Sequence, residues 1–164
     1  MSAAASRTVE ALYAAFAQLD GVAMQACYAA EARFDDEVFA LTGAPQIGAM
    51  WRMLCESARA QGLSHWKLDV RDIRCEGRSG SAHWEAHYRF AASGRPVHNI
   101  VEAEFEFDAG GLILRQRDRF DFWRWSRQAL GAPGLLLGWT PLLRNKVRQQ
   151  AAARLKKFRP AAGP

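Results

Sequence analysis

Between Trp66 and Phe122 the apolar residues occupy alternate positions in four successive runs, a period that a strand presents as one face and a helix cannot. Trp66, Leu68 and Val70 form the first run, and Trp84, Ala86, Tyr88 and Phe90 the second. Val97, Asn99, Val101, Ala103, Phe105 and Phe107 form the third. Leu112, Leu114, Gln116, Asp118, Phe120 and Phe122 complete the set. Glu76-Gly77-Arg78-Ser79-Gly80, Ser93-Gly94-Arg95-Pro96 and Asp108-Ala109-Gly110-Gly111 separate the runs, and short turn-forming linkers of this kind join antiparallel neighbours. Four antiparallel strands are expected, each with one face toward a core.

A register follows from closing the last hairpin at Asp108 to Gly111. Phe107 then faces Leu112, Phe105 faces Leu114, Val101 faces Asp118, and Gln116 lies beside Ala103. On the other face Glu104 meets Arg115 and Glu102 meets Arg117, so one alignment yields an apolar face and a face of matched charges. Closing the preceding hairpin at Ser93 and Gly94 sets Asn99 opposite Tyr88. His83, Glu85 and His87 have the parity of the charged face, as does His98. They read as a surface network rather than a metal site.

The flanking segments change period. Ser6 is a candidate cap for a first helix, with Val9, Leu12, Tyr13, Phe16 and Leu19 on one side. A second, shorter helix runs from an Asp20 cap to about Tyr28, and Arg33 to Phe39 reads as a short extended segment. A third helix starts near Pro45, carries Ile47, Trp51, Leu54 and Ala58 on one face, and ends before Gly62. After the strands, 123–130 reads as helical and Gly131 to Trp139 as an apolar connection. Thr140 and Pro141 open a last helix to about Phe158, with Leu143, Val147, Ala151, Leu155 and Phe158 as its apolar stripe.

Charge is divided unevenly. Residues 123–164 hold nine arginines and lysines and no acid, which leaves 13 basic against 17 acidic residues in the rest of the chain. The body is mildly acidic and the basicity belongs to the tail, an arrangement that disfavours nucleic acid on the sheet. No window is apolar for the ~18 residues a membrane span needs. The first residues lack secretory-signal character, so the expectation is cytoplasmic. Cys27, Cys55 and Cys75 have no zinc-type spacing and read as free thiols, and no metal or cofactor motif occurs.

Helix, helix, short strand, helix and four long strands is an order that resembles the nuclear transport factor two-like superfamily, which includes steroid delta-isomerases, limonene epoxide hydrolases and SnoaL-like polyketide cyclases. Leu12 to Asp36, with Ala14-Ala15-Phe16 and Tyr28-Ala29-Ala30-Glu31-Ala32, is similar to the start of a steroid isomerase. Gln116-Arg117-Asp118-Arg119-Phe120-Asp121 is similar to a segment of limonene epoxide hydrolase. The resemblance implies an α+β fold: a curved antiparallel sheet with three N-terminal helices forming a cone, plus a C-terminal helical extension. Residues 1–125 would be the SnoaL-like domain and 126–164 the basic extension. A homodimer is implied too.

Residue by residue, the isomerase's general base falls on Asp36, but its tyrosine donor falls on Leu12 and its protonated aspartate on Ala103. One epoxide hydrolase aspartate falls on Asp118, while that enzyme's arginine and second aspartate fall on Trp84 and Ala86. Neither family reaction transfers intact. What remains is an inward-facing Asp118 among apolar neighbours, where burial disfavours ionisation, and Asp36 positioned to face it. These two are the candidate acid and base. Tyr88, Asn99, Gln116, Trp84, Phe34 and Phe120 are the candidate contacts to an apolar small molecule.

The competing reading makes both aspartates structural and the chain a non-catalytic binding module, so whether it is an enzyme stays open. For the tail, one reading has Leu135 to Trp139 cover the open end of the cone beside a solvated helix. The other lays residues 140–164 on an anionic membrane surface.

Overall fold

The computed structural model describes residues 2–159. In chain order the elements are α1 (Ser2–Ala17), α2 (Gly21–Gln25), β1 (Tyr28–Asp35), β2 (Ala40–Thr42) and α3 (Ala44–Ala60). The strands β3 (Lys67–Glu76), β4 (Ser79–Arg89), β5 (Pro96–Phe107) and β6 (Ile113–Arg119) follow, then α4 (Phe122–Leu130), α5 (Ala132–Leu137) and α6 (Pro141–Lys157). One curved, unclosed six-stranded sheet runs in the order β2-β1-β6-β5-β4-β3. Its four long strands are antiparallel as their alternation predicts, whereas β1 joins β6 in parallel. α1 and α3 bury Leu12, Phe16, Ile47 and Trp51 against the concave face, and the core fills the space between.

Two helix boundaries differ from the sequence reading. α1 begins at Ser2, so Ser6 lies inside it. α2 ends at Gln25 and Tyr28 already belongs to a strand, because Tyr28, Ala32 and Phe34 find buried places on the sheet while Ala30, Glu31 and Arg33 stay in water. Asp20 does cap α2, accepting from the Ala23 amide at 3.0 Å. Thr140 likewise caps α6, accepting from Leu143 at 3.4 Å with Pro141 in the first turn.

Both hairpin registers move by two residues from the expected ones. In the last hairpin Asp108 closes on Leu112, its carboxylate accepting from the Gly110 and Leu112 amides at 2.8 and 2.9 Å. Phe107 therefore pairs with Ile113, and Leu114 is an extra bulge residue before Glu106 meets Arg115. Ile113 is the buried residue here, and Leu112 and Leu114 are not. The turn and the bulge each slip the alignment by one, so parity is restored downstream: Gln116 faces Phe105 and Asp118 faces Ala103, both inward. The charge ladder is displaced likewise, with Glu104 opposite Arg117 and Glu102 opposite Arg119. In the β4–β5 hairpin a longer loop pairs Tyr88 with Val97 and Asn99 with Ala86, so Asn99 does not face Tyr88.

The segment expected as a connection is helical. α5 lies against α4 so closely that a Cβ on Gly134 would meet the Ser126 carbonyl oxygen at 1.9 Å. It does not plug the cone: Leu135, Leu136, Leu137 and Trp139 are 54%, 67%, 45% and 71% exposed. α6 runs back across the open end instead, with Val147, Ala151 and Leu155 half-buried. All three cysteines are free, Cys75 being only half-buried. Among the described residues, no helix is long and apolar enough to cross a membrane.

Candidate functional site

A mostly apolar cavity of about 580 Å³ opens between the concave face, α3 and α6. Trp51, Met53, Trp66, Trp84 and Phe120 form much of its wall, and Asp36, Asp118, Asn99 and Tyr88 supply polar groups. Of the residues singled out from sequence, Asp36, Asp118, Tyr88, Asn99, Trp84 and Phe120 line this space. Gln116 and Phe34 do not: each lies behind the wall, 0% and 1% exposed. Phe34 packs edge-on against Trp51 at 5.5 Å.

Asp118 sits on β6 and is 3% exposed. Its partner is local, the Gln116 amide donating to Oδ1 at 2.9 Å. Gln116 in turn accepts from the Tyr28 hydroxyl at 2.5 Å, and Tyr28 accepts from the Trp51 indole at 2.9 Å. A chain of donors thus runs from α3 through β1 to β6 and ends on the carboxyl. Burial outweighs that single bond and pushes the Asp118 pKa up to about 8, with the charge of Asp36 adding to the rise. The Tyr13 hydroxyl is buried without a partner, and its pKa is raised by desolvation and then by Asp118.

Asp36 follows β1 in the turn to β2. Its Oδ1 accepts from the Val38 and Phe39 amides at 2.7 and 2.6 Å, and its own amide donates to the Phe39 carbonyl at 2.9 Å. Those bonds favour the ionised form, yet desolvation is larger and the pKa rises to about 6. α6 braces the turn from outside: Arg148 donates to the Glu37 carbonyl at 2.8 Å, and Arg144 pairs with the Glu37 carboxylate at 3.4 Å. Tyr88 accepts from the Trp125 indole at 2.9 Å, which leaves its own hydroxyl hydrogen to be donated. Its pKa is lifted to about 12, mainly by burial, with Asp36 contributing.

The convex face carries a different set. His83 bonds Glu85 at 2.9 Å and Glu102 at 2.5 Å, and His98 bonds Glu85 at 2.6 Å. Arg71 pairs with Glu85 at 3.1 Å, and His87 stacks on His98 with ring centres 4.0 Å apart. Among the described residues no cluster of His, Cys, Asp or Glu has the form of a metal site, and the outer network is satisfied internally.

The profile of the SnoaL-like domain matches residues 9–116, about two thirds of the chain. The chain belongs to the SnoaL-like family. No curated protein sequence matches it. Among solved structures, a candidate polyketide cyclase from Xanthomonas campestris pathovar campestris is 21% identical, covering 77% of this chain and 97% of that one, with a TM-score of 0.61. An LEH-like epoxide hydrolase from Mycobacterium tuberculosis is 22% identical over 87% and 96%, with a TM-score of 0.58. A Catenulispora acidiphila protein with a ketosteroid isomerase-like fold, solved with trimethylamine, is 16% identical over 82% and 97%, with a TM-score of 0.62. At these identities the likeness is one of fold.

Several site residues of this SnoaL-like chain escape sequence reasoning. Tyr28 falls at the end of the expected second helix, which hides it, although an inward Gln116 needs a partner and Tyr28 has the β1 parity to give it. Trp51 was visible only as an apolar residue on a helix. Trp125, Arg144 and Arg148 come from beyond the strands, and no local pattern points them at Tyr88 or at the Asp36 turn.

Proposed function

We propose that this chain is an enzyme that moves a proton at a carbon next to a carbonyl group of an apolar small molecule, without a cofactor. The observation that carries this reading is one mostly apolar cavity lined by two carboxyls whose environments hold them in different states. Near neutral pH Asp36, at about 6, is mostly ionised, and Asp118, at about 8, is mostly protonated. Asp36 takes the C–H proton as base. Asp118 donates a hydrogen bond to the carbonyl oxygen, where negative charge collects as the enolate forms. Return of the proton from Asp36 to a different carbon of the enolate completes an isomerisation, and attack of the enolate carbon on a second carbonyl, whose oxygen takes that proton from Asp36, closes a ring.

The register supports this assignment. Ala103 stands where a steroid isomerase would carry its protonated aspartate, and Asp118 is its direct cross-strand neighbour. A neutral acid is thus available one strand over from its usual place. Tyr88, with a hydrogen to donate, and Asn99 flank the pair. A non-catalytic binding module is the second reading, favoured by the two backbone amides that already occupy Asp36 Oδ1.

The test is deuterium uptake from heavy water into a panel of apolar cyclic ketones and 1,3-diketones, followed by NMR. Exchange at the carbon beside the carbonyl is expected to rise with pH through about 6 and fall through about 8. Asp36→Asn should slow it by roughly 10²–10⁴-fold, the usual worth of a general base. Binding without exchange by the unaltered chain would leave the binding-module reading in place and remove the enzymatic one.

A further inference from the structure

The corner between α5 and α6 displays what a soluble surface normally hides. Leu135, Leu136, Leu137, Trp139 and Leu142 lie within eight residues, and each is 45% exposed or more. Trp123 beside them is 41% exposed, with its indole donating to the Leu135 carbonyl at 3.3 Å. Isolated exposed leucines are ordinary, but a contiguous group marks a surface that meets something apolar.

The charge around this corner says what kind of partner fits. From Phe122 onward the chain has no carboxylate side chain. Arg127 lies over the Trp123 ring at 4.6 Å. Along α6, Leu143, Val147, Ala151 and Leu155 turn toward the protein, while Leu142, Lys146, Gln149 and Lys156, spaced by four, three and seven residues, share the opposite, exposed side, with exposed Lys157 on its flank. Among the described residues, none of Lys146, Lys156 and Lys157 has a carboxylate within ion-pair distance. One outward surface therefore combines a leucine-tryptophan tip with an unopposed row of lysines. A second copy docked isologously would press two such positive surfaces together. A nucleic acid would engage the lysines and leave the leucines in water.

We infer that this corner docks the protein on an anionic bilayer, the α5–α6 tip entering the interface and the lysines of α6 lying over acidic headgroups. Tryptophan and leucine in such a tip bury apolar area at the headgroup boundary, and lysines can extend their stems along it. The surface is separate from the catalytic reading above and stands or falls without it.

Sedimentation of the full chain with vesicles tests the inference, comparing mixed phosphatidylglycerol and phosphatidylcholine with pure phosphatidylcholine. Binding is expected only to the anionic vesicles at about 0.1 M salt, and it should weaken sharply at 1 M, where screening shortens to about 3 Å. The triple variant Lys146→Gln, Lys156→Gln, Lys157→Gln should bind roughly a hundredfold more weakly, at about fivefold per lysine. Leu136→Ser with Trp139→Ser should abolish binding while leaving the far-ultraviolet circular dichroism spectrum unchanged. If that pair misfolds, the lysine variant carries the test alone. Failure of the unaltered chain to sediment with anionic vesicles overturns the inference, as does binding that the variants leave untouched. Light scattering that finds a dimer dissociated by the Leu136 and Trp139 changes, with no vesicle binding, would reassign the corner to contact between copies.

Discussion

Glu85 and Asp118 are carboxylates on strands of the same sheet, and they face opposite ways. On the convex side Glu85 is bonded by His83 and then His98, and its pKa falls to about 2. On the concave side Asp118 has one amide partner in an apolar surround, and its pKa rises to about 8. The strand scaffold is shared, and parity alone chooses the side. One face gathers partners that keep charge; the other withholds them and favours the proton. An inner surface can therefore favour a protonated carboxyl with few polar residues, provided that carboxyl is left short of partners.

The largest test of that contrast is Asp118→Asn, which keeps the side chain's shape and its bond to Gln116 but cannot ionise. In the native chain the folded pKa lies above the unfolded one of about 4. The folded state then holds the extra proton, and this group's contribution to stability falls as pH rises from about 4 to about 8. Asp36 acts in the same sense between about 4 and about 6 in both proteins. At pH 9 the variant should be the more stable by several kcal/mol, on the order of 5, since a pK unit is worth about 1.4. Urea unfolding at pH 5 and pH 9 measures it, and equal pH dependence in the two proteins would break the contrast.

A smaller effect is expected from Tyr28→Phe, which leaves Gln116 Oε1 buried without its donor. The cost should be about 1–3 kcal/mol, read from the same unfolding curves, with the fold intact. The Gln116 amide would also be freer to turn, so the Asp118 titration should move with it. A change confined to stability, with Asp118 titrating as before, would reduce the donor chain to a packing feature.

The smallest stability effect belongs outside. Glu85→Gln removes the main cause of the raised His83 pKa, so the His83 ring should titrate nearer its ordinary value in an NMR series. The outer groups are solvated and screened, so thermal stability should change little. A large loss of stability from this change would mean that the convex network does more than occupy the surface.

Much of this was legible in the residues, and the exceptions are physical. Alternation placed Asp118, Gln116, Asn99 and Tyr88 inward because side-chain direction depends on parity, and parity survives an even slip. It did not fix which residues stand opposite each other. The Asp108 turn and the Leu114 bulge are each chosen by backbone hydrogen bonding that apolar pattern does not encode. The boundary at Tyr28 is ambiguous in sequence because Tyr28 to Ala32 suits helix and strand alike until a sheet edge is there to receive it. Contacts of α6 with the Asp36 turn join residues more than a hundred apart, beyond the reach of any local signal. The exposure of Leu135 to Trp139 depended on where α5 packs, which Gly134 decides by permitting close approach to α4.

All the chemistry proposed for the cavity rests on Asp118 holding a proton at neutral pH while Asp36 has largely lost its own. Isotope-edited infrared or carbon NMR titration of the two carboxyl groups, assigned with the Asp36→Asn and Asp118→Asn variants, reads this directly. A protonated Asp118 at pH 7 with a midpoint near 8, and an Asp36 midpoint near 6, is the expected result. Both groups ionising together near pH 4, as free aspartates do, would contradict it.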